Sequence, residues 1–163
     1  MERTSALNGN GIYYIRFWND IYLCHPSIWS ERLIIADKKP TDHNYDNDYW
    51  WYIEGSDNDL VIKPAIYAFE SKETLVFDWY AVDVRKASNL PENIWLYQFN
   101  NSVAQHFRIE KSHQNGFYKL VPKCATNLIF TIGENQEDDQ CSLVKGNACT
   151  RPQHKQCMNN QLV

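Results

Sequence analysis

Few side chains in this sequence are spaced for catalysis or metal binding. Cys24 and His25 are adjacent, and neighbouring residues of a strand point to opposite faces, so they cannot form a nucleophile–base contact. The acidic run 134–139 has no calcium-ligand spacing and is interpreted as a solvated loop. Four metal-binding side chains near the C-terminus could be considered as zinc ligands, but they lack the short C-x₂-C pair common in zinc sites. They are Cys141, Cys149, His154 and Cys157. We therefore predict no enzyme, no metal site and no cofactor.

Aromatic side chains are the more distinctive chemical feature. The 163 residues include six Trp, ten Tyr and seven Phe. Such rings suit strands, and exposed rings suit surfaces that hold sugars or proteins. The formal net charge of −4 argues against nucleic acid, which needs a basic footprint.

The length fits one domain with a substantial core. No apolar run is long enough to cross a membrane, so membrane insertion is not expected. The N-terminal residues lack the apolar centre of a secretory signal; an extracellular location is still favoured, with a cytoplasmic one as the alternative. Four of the five cysteines follow residue 120. One or two C-terminal disulfides with a leftover thiol, or thiols in a reducing compartment, both remain open.

The elements that must position any binding residues are short strands. Around the centre of the chain, period-two runs at 81–84, 94–99 and 105–109 are separated by a polar loop and by an Asn-Asn-Ser turn. Alternation of this kind predicts strands, not helices. Because the gaps are too short for parallel crossovers, the strands should form an antiparallel meander.

This central stretch resembles one repeat of the ricin-B-type β-trefoil lectins. The family's pattern is a Leu/Val-Asp-Val strand, a loop, an aliphatic-x-Leu-aromatic strand, an Asn-Ser turn and Gln-x-aromatic-x-Ile. The corresponding segments here are Val82-Asp83-Val84, Ile94-Trp95-Leu96-Tyr97, Asn101-Ser102 and Gln105-His106-Phe107-Arg108-Ile109.

The resemblance implies a sugar site in this repeat. In binding repeats an aspartate accepts hydrogen bonds from sugar hydroxyls, and an aromatic ring packs against the C–H face of a galactose-type sugar. Carried over, Asp83 is the acceptor, Tyr97 is the platform and Trp95 is a second surface aromatic. The remaining members of the predicted site are Asn100 or Asn101 as the amide, and Gln105, which braces the aspartate. Ala104 stands where binding repeats usually carry Asn.

Two further repeats are predicted from internal similarity. Trp51 aligns with Phe107 and Ile53 with Ile109, and Trp51, Phe107 and Ile109 are expected in the core. Three repeats would close around a shared interior. The predicted fold is all-β, a pseudo-threefold β-trefoil of about twelve strands in one domain, 1–163. Its repeats span roughly 8–56, 57–112 and 113–163, with the tail from about 146 left unassigned. Other predicted strands are 11–17, 21–24, 32–36, 49–54, 60–63, 66–69, 75–77, 116–121, 127–132 and 141–145.

The family resemblance implies a lectin that recognises galactose-type glycans, with the receptor-binding part of a toxin or haemagglutinin complex, alongside other protein subunits, as one role open to it. Only one site is expected, because Cys24 and Ile129 align with Asp83 and neither can accept hydroxyls. The alternative is a protein-docking trefoil, such as a toxin-complex subunit or a protease inhibitor, with an exposed patch formed by Trp18, Trp29 and Trp50. A small lipocalin-like barrel is the third possibility, against which the internal repeats argue.

Overall fold

The computed structural model describes residues 7, 9–17, 21–25, 35–38, 49–68, 72–85, 94–111, 117–130 and 141–145. No helix in these ranges is long and apolar enough to cross a membrane. The described strands are β1 (Gly11–Phe17), β2 (Ile21–Cys24), β3 (Ile35–Lys38), β4 (Trp51–Ser56), β5 (Asp59–Ala68), β6 (Glu73–Val76), β7 (Tyr80–Val84), β8 (Ile94–Gln98), β9 (Phe107–Lys111), β10 (Tyr118–Pro122) and β11 (Cys141–Lys145).

Six strands close into a barrel in which every neighbouring pair is antiparallel. Its order is β1–β4–β5–β9–β10–β11, and β11 pairs back onto β1 from Tyr13↔Lys145 to Phe17↔Cys141. Strand β3 pairs with β2, β7 pairs with β8, and β6 adds to β5. A closed barrel with hairpins attached is the architecture of a β-trefoil, so the predicted fold class is confirmed.

The barrel interior is filled by alternate residues of its strands. Trp51 and Phe107 begin β4 and β9 and are fully buried, and Ile53 and Ile109 follow two positions later on the same face. The alignment of these two segments is therefore reproduced in the core. The other large buried members of this cluster are Leu7, Tyr13, Ile15, Phe17, Leu23, Leu60, Ile62, Leu96, Leu120 and Phe130.

A second apolar cluster covers the outer face of part of the barrel. It contains Ile12 and Tyr14 of β1, which explains why β1 is buried on both faces. Trp50 belongs to it and is fully buried, with its indole N–H donating to Tyr14 Oη at 3.1 Å. The exposed aromatic patch predicted around Trp50 is therefore wrong for that residue. Its other two members, Trp18 and Trp29, lie outside the described residues.

Strand boundaries differ from the predictions where a strand changes partner. Residues 60–63 and 66–69 were predicted as two strands, but β5 continues through Pro64. The ladder with β4 ends at Trp51↔Pro64 and the ladder with β6 begins at Ala65↔Val76. Pro64 lies where one partner replaces the next: its carbonyl accepts the Phe77 N–H at 2.9 Å, and the N–H that proline lacks falls at the end of the β6 ladder, where a proline is best tolerated.

Two further predictions were wrong in their secondary structure. Gln105 was placed in a strand, yet it ends a 3-10 turn, Val103–Gln105, and the strand begins at Phe107. Residues 127–130 form no strand, although Phe130 N–H donates to the Leu120 carbonyl at 2.8 Å. Strand β3 begins at Ile35, and the predicted positions 32–34 lie outside the described residues.

Candidate functional site

The β7–β8 hairpin presents one face to the core and the other outward. Residues directly opposite each other in an antiparallel pair share a face. Val82 and Leu96 form one such pair, and both belong to the barrel core. The alternate pairs, Ala81↔Tyr97 and Asp83↔Trp95, therefore lie on the outer face. Two adjacent aromatic residues and a carboxylate are thus placed together by strand alternation.

Asp83 lies at the base of this outer face. Its side chain is held by Trp95, whose indole N–H donates to Asp83 Oδ1 at 2.8 Å. Burial raises the pKa of Asp83 above its ordinary value, while hydrogen bonds from Trp95 and Gln105 lower it. A carboxylate has roughly four lone-pair positions, so these two bonds leave acceptor capacity for hydroxyl groups. Asp83 is only 5% exposed, so only a small part of its carboxylate is open to a ligand.

The two aromatic rings of β8 are stacked. Trp95 and Tyr97 have ring centroids 5.1 Å apart and planes inclined by 15°. The guanidinium carbon of Arg85 lies 5.1 Å from the Trp95 ring centroid, a cation–π distance. Opposite Tyr97 stands Ala81, which is fully buried. The rings are therefore fixed in place before any ligand arrives.

Gln105 organises the turn that follows β8. Its side chain is completely buried, and its Oε1 accepts the backbone N–H groups of Asn100 at 2.9 Å and of Asn101 at 3.1 Å. Its Nε2 donates to the Gln98 carbonyl at 2.9 Å. These bonds satisfy backbone groups of a turn that no ladder covers. They also explain the 3-10 turn at 103–105, because the side chain must reach back towards β8.

The two asparagines of the turn project outward. Asn100 Oδ1 accepts the Ser102 N–H at 3.0 Å, and Asn101, with φ of +56°, places its Oδ1 2.8 Å from His106 Nε2. In the part of the chain that the structure describes, their hydrogen bonds use Oδ1, so the Nδ2 groups are the atoms that could donate to a ligand. The other His106 nitrogen, Nδ1, contacts Asp59 Oδ1 at 2.6 Å, and this hydrogen bond holds the pKa of Asp59 below its ordinary value.

The structure thus gathers all the residues predicted for the site onto one hairpin and its following turn. Asp83 and Gln105 lie inside and support the surface, while the outer layer consists of Trp95, Tyr97, Asn100 and Asn101. Two nearby residues were missed by the sequence analysis, Arg85 and Trp79. Both stand at even spacing from Asp83, so continuing the strand alternation in each direction would have indicated them.

The first hairpin places its groups differently, with Tyr22 paired with Asp37 and a cysteine at the position aligned with Asp83. In the β2–β3 hairpin Cys24 pairs with Ile35. Cys24 is the residue that occupies the position equivalent to Asp83 when the repeats are aligned. Cys24 is buried, and the half-buried Cys124 is a free thiol. Among the described residues no group of three or more metal-binding side chains occurs.

Replacing Gln105 by alanine is expected to lower the free energy of unfolding by about 1–3 kcal/mol, because the N–H groups of Asn100 and Asn101 lose their acceptor. Urea unfolding measures the change. Gln98→Ala is the matched control: its side chain is exposed, so the loss should stay within about 0.5 kcal/mol. Equal losses for the two variants would contradict the bracing role of Gln105.

Solved structures of other proteins share this fold. No protein-family model matches the chain, and no curated protein matches it in sequence. The designed threefold-symmetric protein ThreeFoil is 16% identical with a TM-score of 0.61, over 82% of this chain and 97% of that one. A Polyporus squamosus lectin, bound to the human-type influenza-binding epitope Neu5Acα2-6Galβ1-4GlcNAc, is 17% identical with a TM-score of 0.59, over 85% of this chain and 50% of the lectin.

A mosquitocidal holotoxin is similar in the same way, with 17% identity and a TM-score of 0.60. The match covers 86% of this chain but only 18% of the toxin. The chain therefore spans half of the lectin and a small part of the toxin. At these identities the likeness concerns the fold, and it agrees with the closed barrel and its hairpins. The protein has a β-trefoil fold.

Proposed function

We propose that the protein is a carbohydrate-binding module and that the outer face of the β7–β8 hairpin is its sugar site. The observation that carries this proposal is the stacked Trp95–Tyr97 pair standing over the Asp83 carboxylate. The proposed activity is binding without catalysis.

The chemistry of this face suits a sugar ring. One face of a galactose-type sugar is a patch of C–H groups, which packs against an aromatic surface, and Tyr97 is the ring available for it. The hydroxyl groups at the edge of the sugar need acceptors and donors. Asp83 supplies acceptor positions, and the Nδ2 groups of Asn100 and Asn101 supply donors. Because the rings and the turn are already held in place, the protein loses little conformational entropy when a ligand binds.

The similar structures support this proposal. One is a lectin solved with a glycan that contains a galactose unit, and another belongs to a toxin. We propose galactose-type glycans as the ligand and, because a single site binds a monosaccharide with a Kd on the order of millimolar, display in several copies or within a larger toxin-like assembly.

A glycan array with the protein presented multivalently tests the proposal. The wild type is expected to bind galactose-terminated glycans. Tyr97→Leu keeps apolar bulk but removes the ring, and Asp83→Asn keeps the shape and the acceptor for Trp95 but removes the charge. Each variant is expected to lose roughly tenfold or more in affinity, about 1.4 kcal/mol.

Leu75→Ala is the control for this array. Leu75 lies on β6 and is 38% exposed, so its removal should change neither folding nor binding. A blank array from a folded wild-type protein would contradict the sugar-binding proposal.

A protein-docking trefoil is the second candidate function, and the low exposure of Asp83 favours it. At 5% exposed the carboxylate presents little surface, and the residue before Gln105 is alanine. In that case the aromatic face would bind a side chain of a protein partner. Substitutions at Tyr97 would then weaken the affinity for that protein, and the wild type would bind no glycan.

A further inference from the structure

Trp79 has the most exposed side chain among the large apolar residues that the structure describes. It is 65% exposed, in the turn between β6 and β7. Yet this turn is firmly held: Asp78 N–H donates to the Val76 carbonyl, and Tyr80 N–H donates to the Phe77 carbonyl, both at 3.1 Å. The Trp79 ring also contacts that of Phe77, which is buried, at a centroid distance of 5.9 Å. An exposed indole on a rigid turn is costly to leave in water and suits a binding role.

Trp79 continues the outer face of the β7–β8 hairpin. The ladder pairs Tyr80 with Gln98 and Ala81 with Tyr97. The bond from Phe99 N–H to the Trp79 carbonyl, 2.5 Å long, extends this register by one pair. Tyr80 packs against the barrel core, so alternation places Trp79 on the side of Ala81 and Tyr97. Diagonal neighbours on one sheet face are about 7–8 Å apart, so a ligand of two linked sugar rings is long enough to contact both side chains.

Charged groups lie beside Phe99, whose backbone N–H bonds to the Trp79 carbonyl. Lys63 Nζ lies 3.2 Å from Asp78 Oδ1, 3.3 Å from Glu54 Oε1 and 4.4 Å from the Phe99 ring centroid. The lysine side chain is only 8% exposed, whereas those of Asp78 and Glu54 are 77% and 37% exposed. The ammonium group is therefore enclosed, and the atoms that a ligand meets are carboxylate oxygens. Such oxygens accept hydrogen bonds from neutral hydroxyls and repel an anion.

We propose that Trp79 is the platform of a second sugar subsite and that the hairpin binds a neutral oligosaccharide of at least two rings. This inference rests on the proposed function: the terminal ring lies on Tyr97 above Asp83, and the next ring lies on Trp79 with its hydroxyls facing Asp78. The continuity of the aromatic face commits the surface to a glycan. The exposed carboxylates of Asp78 and Glu54 commit this second subsite to a neutral ring, unlike the sialylated epitope bound to the Polyporus squamosus lectin.

Calorimetric titration with galactose, with a neutral galactose-terminated trisaccharide and with its sialylated counterpart tests the inference. Trp79→Ala removes an indole that would cover about 50 Å² of a sugar's apolar face, so the affinity for the neutral trisaccharide should fall about tenfold. The affinity for galactose should stay within about twofold. Tyr97→Leu should weaken both ligands, and Leu75→Ala, an exposed apolar truncation elsewhere, should weaken neither.

The possible failures are distinguishable. If the wild type binds both neutral sugars and Trp79→Ala changes neither, the second subsite is overturned while the proposed function stands. Equal losses for galactose and trisaccharide would make Trp79 part of the first site and would also overturn the second subsite. Tighter binding of the sialylated trisaccharide than of the neutral one would overturn the proposal that the ligand is neutral. A folded wild type that binds no sugar would overturn the proposed function together with the subsite.

Discussion

Replacing Trp51 by alanine is expected to lower the free energy of unfolding by about 3–5 kcal/mol, the range for a large aromatic residue removed from a core. Trp51 begins β4 inside the barrel and is fully buried. Its indole N–H donates to the Leu23 carbonyl at 3.1 Å, and its ring lies edge-on against His25 with centroids 4.8 Å apart. The substitution therefore leaves a cavity and also removes the donor of a buried carbonyl.

Urea unfolding of Trp51→Ala beside Trp79→Ala measures this effect with the residue type held constant. Trp79 is 65% exposed, and its removal should change stability by no more than about 0.5 kcal/mol. If Trp51→Ala has insufficient stability to remain folded, Trp51→Phe keeps an aromatic ring and should show a smaller loss. Similar losses for the two alanine variants would contradict the assignment of Trp51 to the barrel core.

Acidification is expected to destabilise the protein through His25. This side chain is 1% exposed, and its Nε2–H donates to the Trp50 carbonyl at 2.6 Å. Burial lowers the pKa of His25 from 6.5 to about 4, with the hydrogen bond to Trp50 acting in the opposite direction. Protonation would place a second N–H at Nδ1, a buried atom that makes no hydrogen bond within the described residues.

The direction follows from proton binding. Between pH 6.5 and about 4 the unfolded chain has a protonated histidine, while the folded protein keeps it neutral. The unfolded state therefore binds more protons, and the free energy of unfolding decreases as the pH is lowered. The contribution of neutral His25 is complete above pH 6.5 and is lost as pH falls towards the folded-state pKa. A difference of that size corresponds to about 3 kcal/mol.

Urea unfolding at several pH values between 7 and 4 checks this prediction in the wild type and in His25→Gln, which can donate to the Trp50 carbonyl but does not titrate. The difference in pH slope between the two proteins isolates His25 from Asp83, whose raised pKa acts in the opposite direction. Equal slopes would contradict the burial of a neutral histidine.

Much of the barrel could be predicted from alternation. The predicted strands 11–17, 21–24 and 141–145 coincide with β1, β2 and β11. The first two are short and nearly continuous apolar runs, covered on both faces, and turn residues lie beside them, so local sequence still indicates where they begin and end. The single strand β5 could not be predicted in this way, because Pro64 breaks the pattern and only the change of partner from β4 to β6 makes it acceptable.

The candidate site shows the same division. Resemblance to a lectin repeat brought Asp83, Tyr97 and Gln105 together, and the structure places them on one hairpin and turn. The sequence did not show that Trp95 donates to Asp83 or that Gln105 is enclosed by backbone groups, since both depend on side-chain geometry. Nor could it show which tryptophans are exposed: Trp50 is buried while Trp79 is open, because the second apolar cluster covers one and nothing among the described residues covers the other.

The most direct test of sugar binding at the hairpin is a ¹H–¹⁵N spectrum of the wild type, recorded while a galactose-terminated glycan is added to concentrations above a Kd on the order of millimolar. The Trp95 indole signal is the one to follow, because this N–H donates to Asp83 at the centre of the proposed site. The signal of Trp51, buried in the barrel, is the internal control. We predict that the Trp95 signal shifts with saturation while that of Trp51 does not. An unchanged Trp95 signal, or shifts confined to residues away from β7 and β8, would contradict the account.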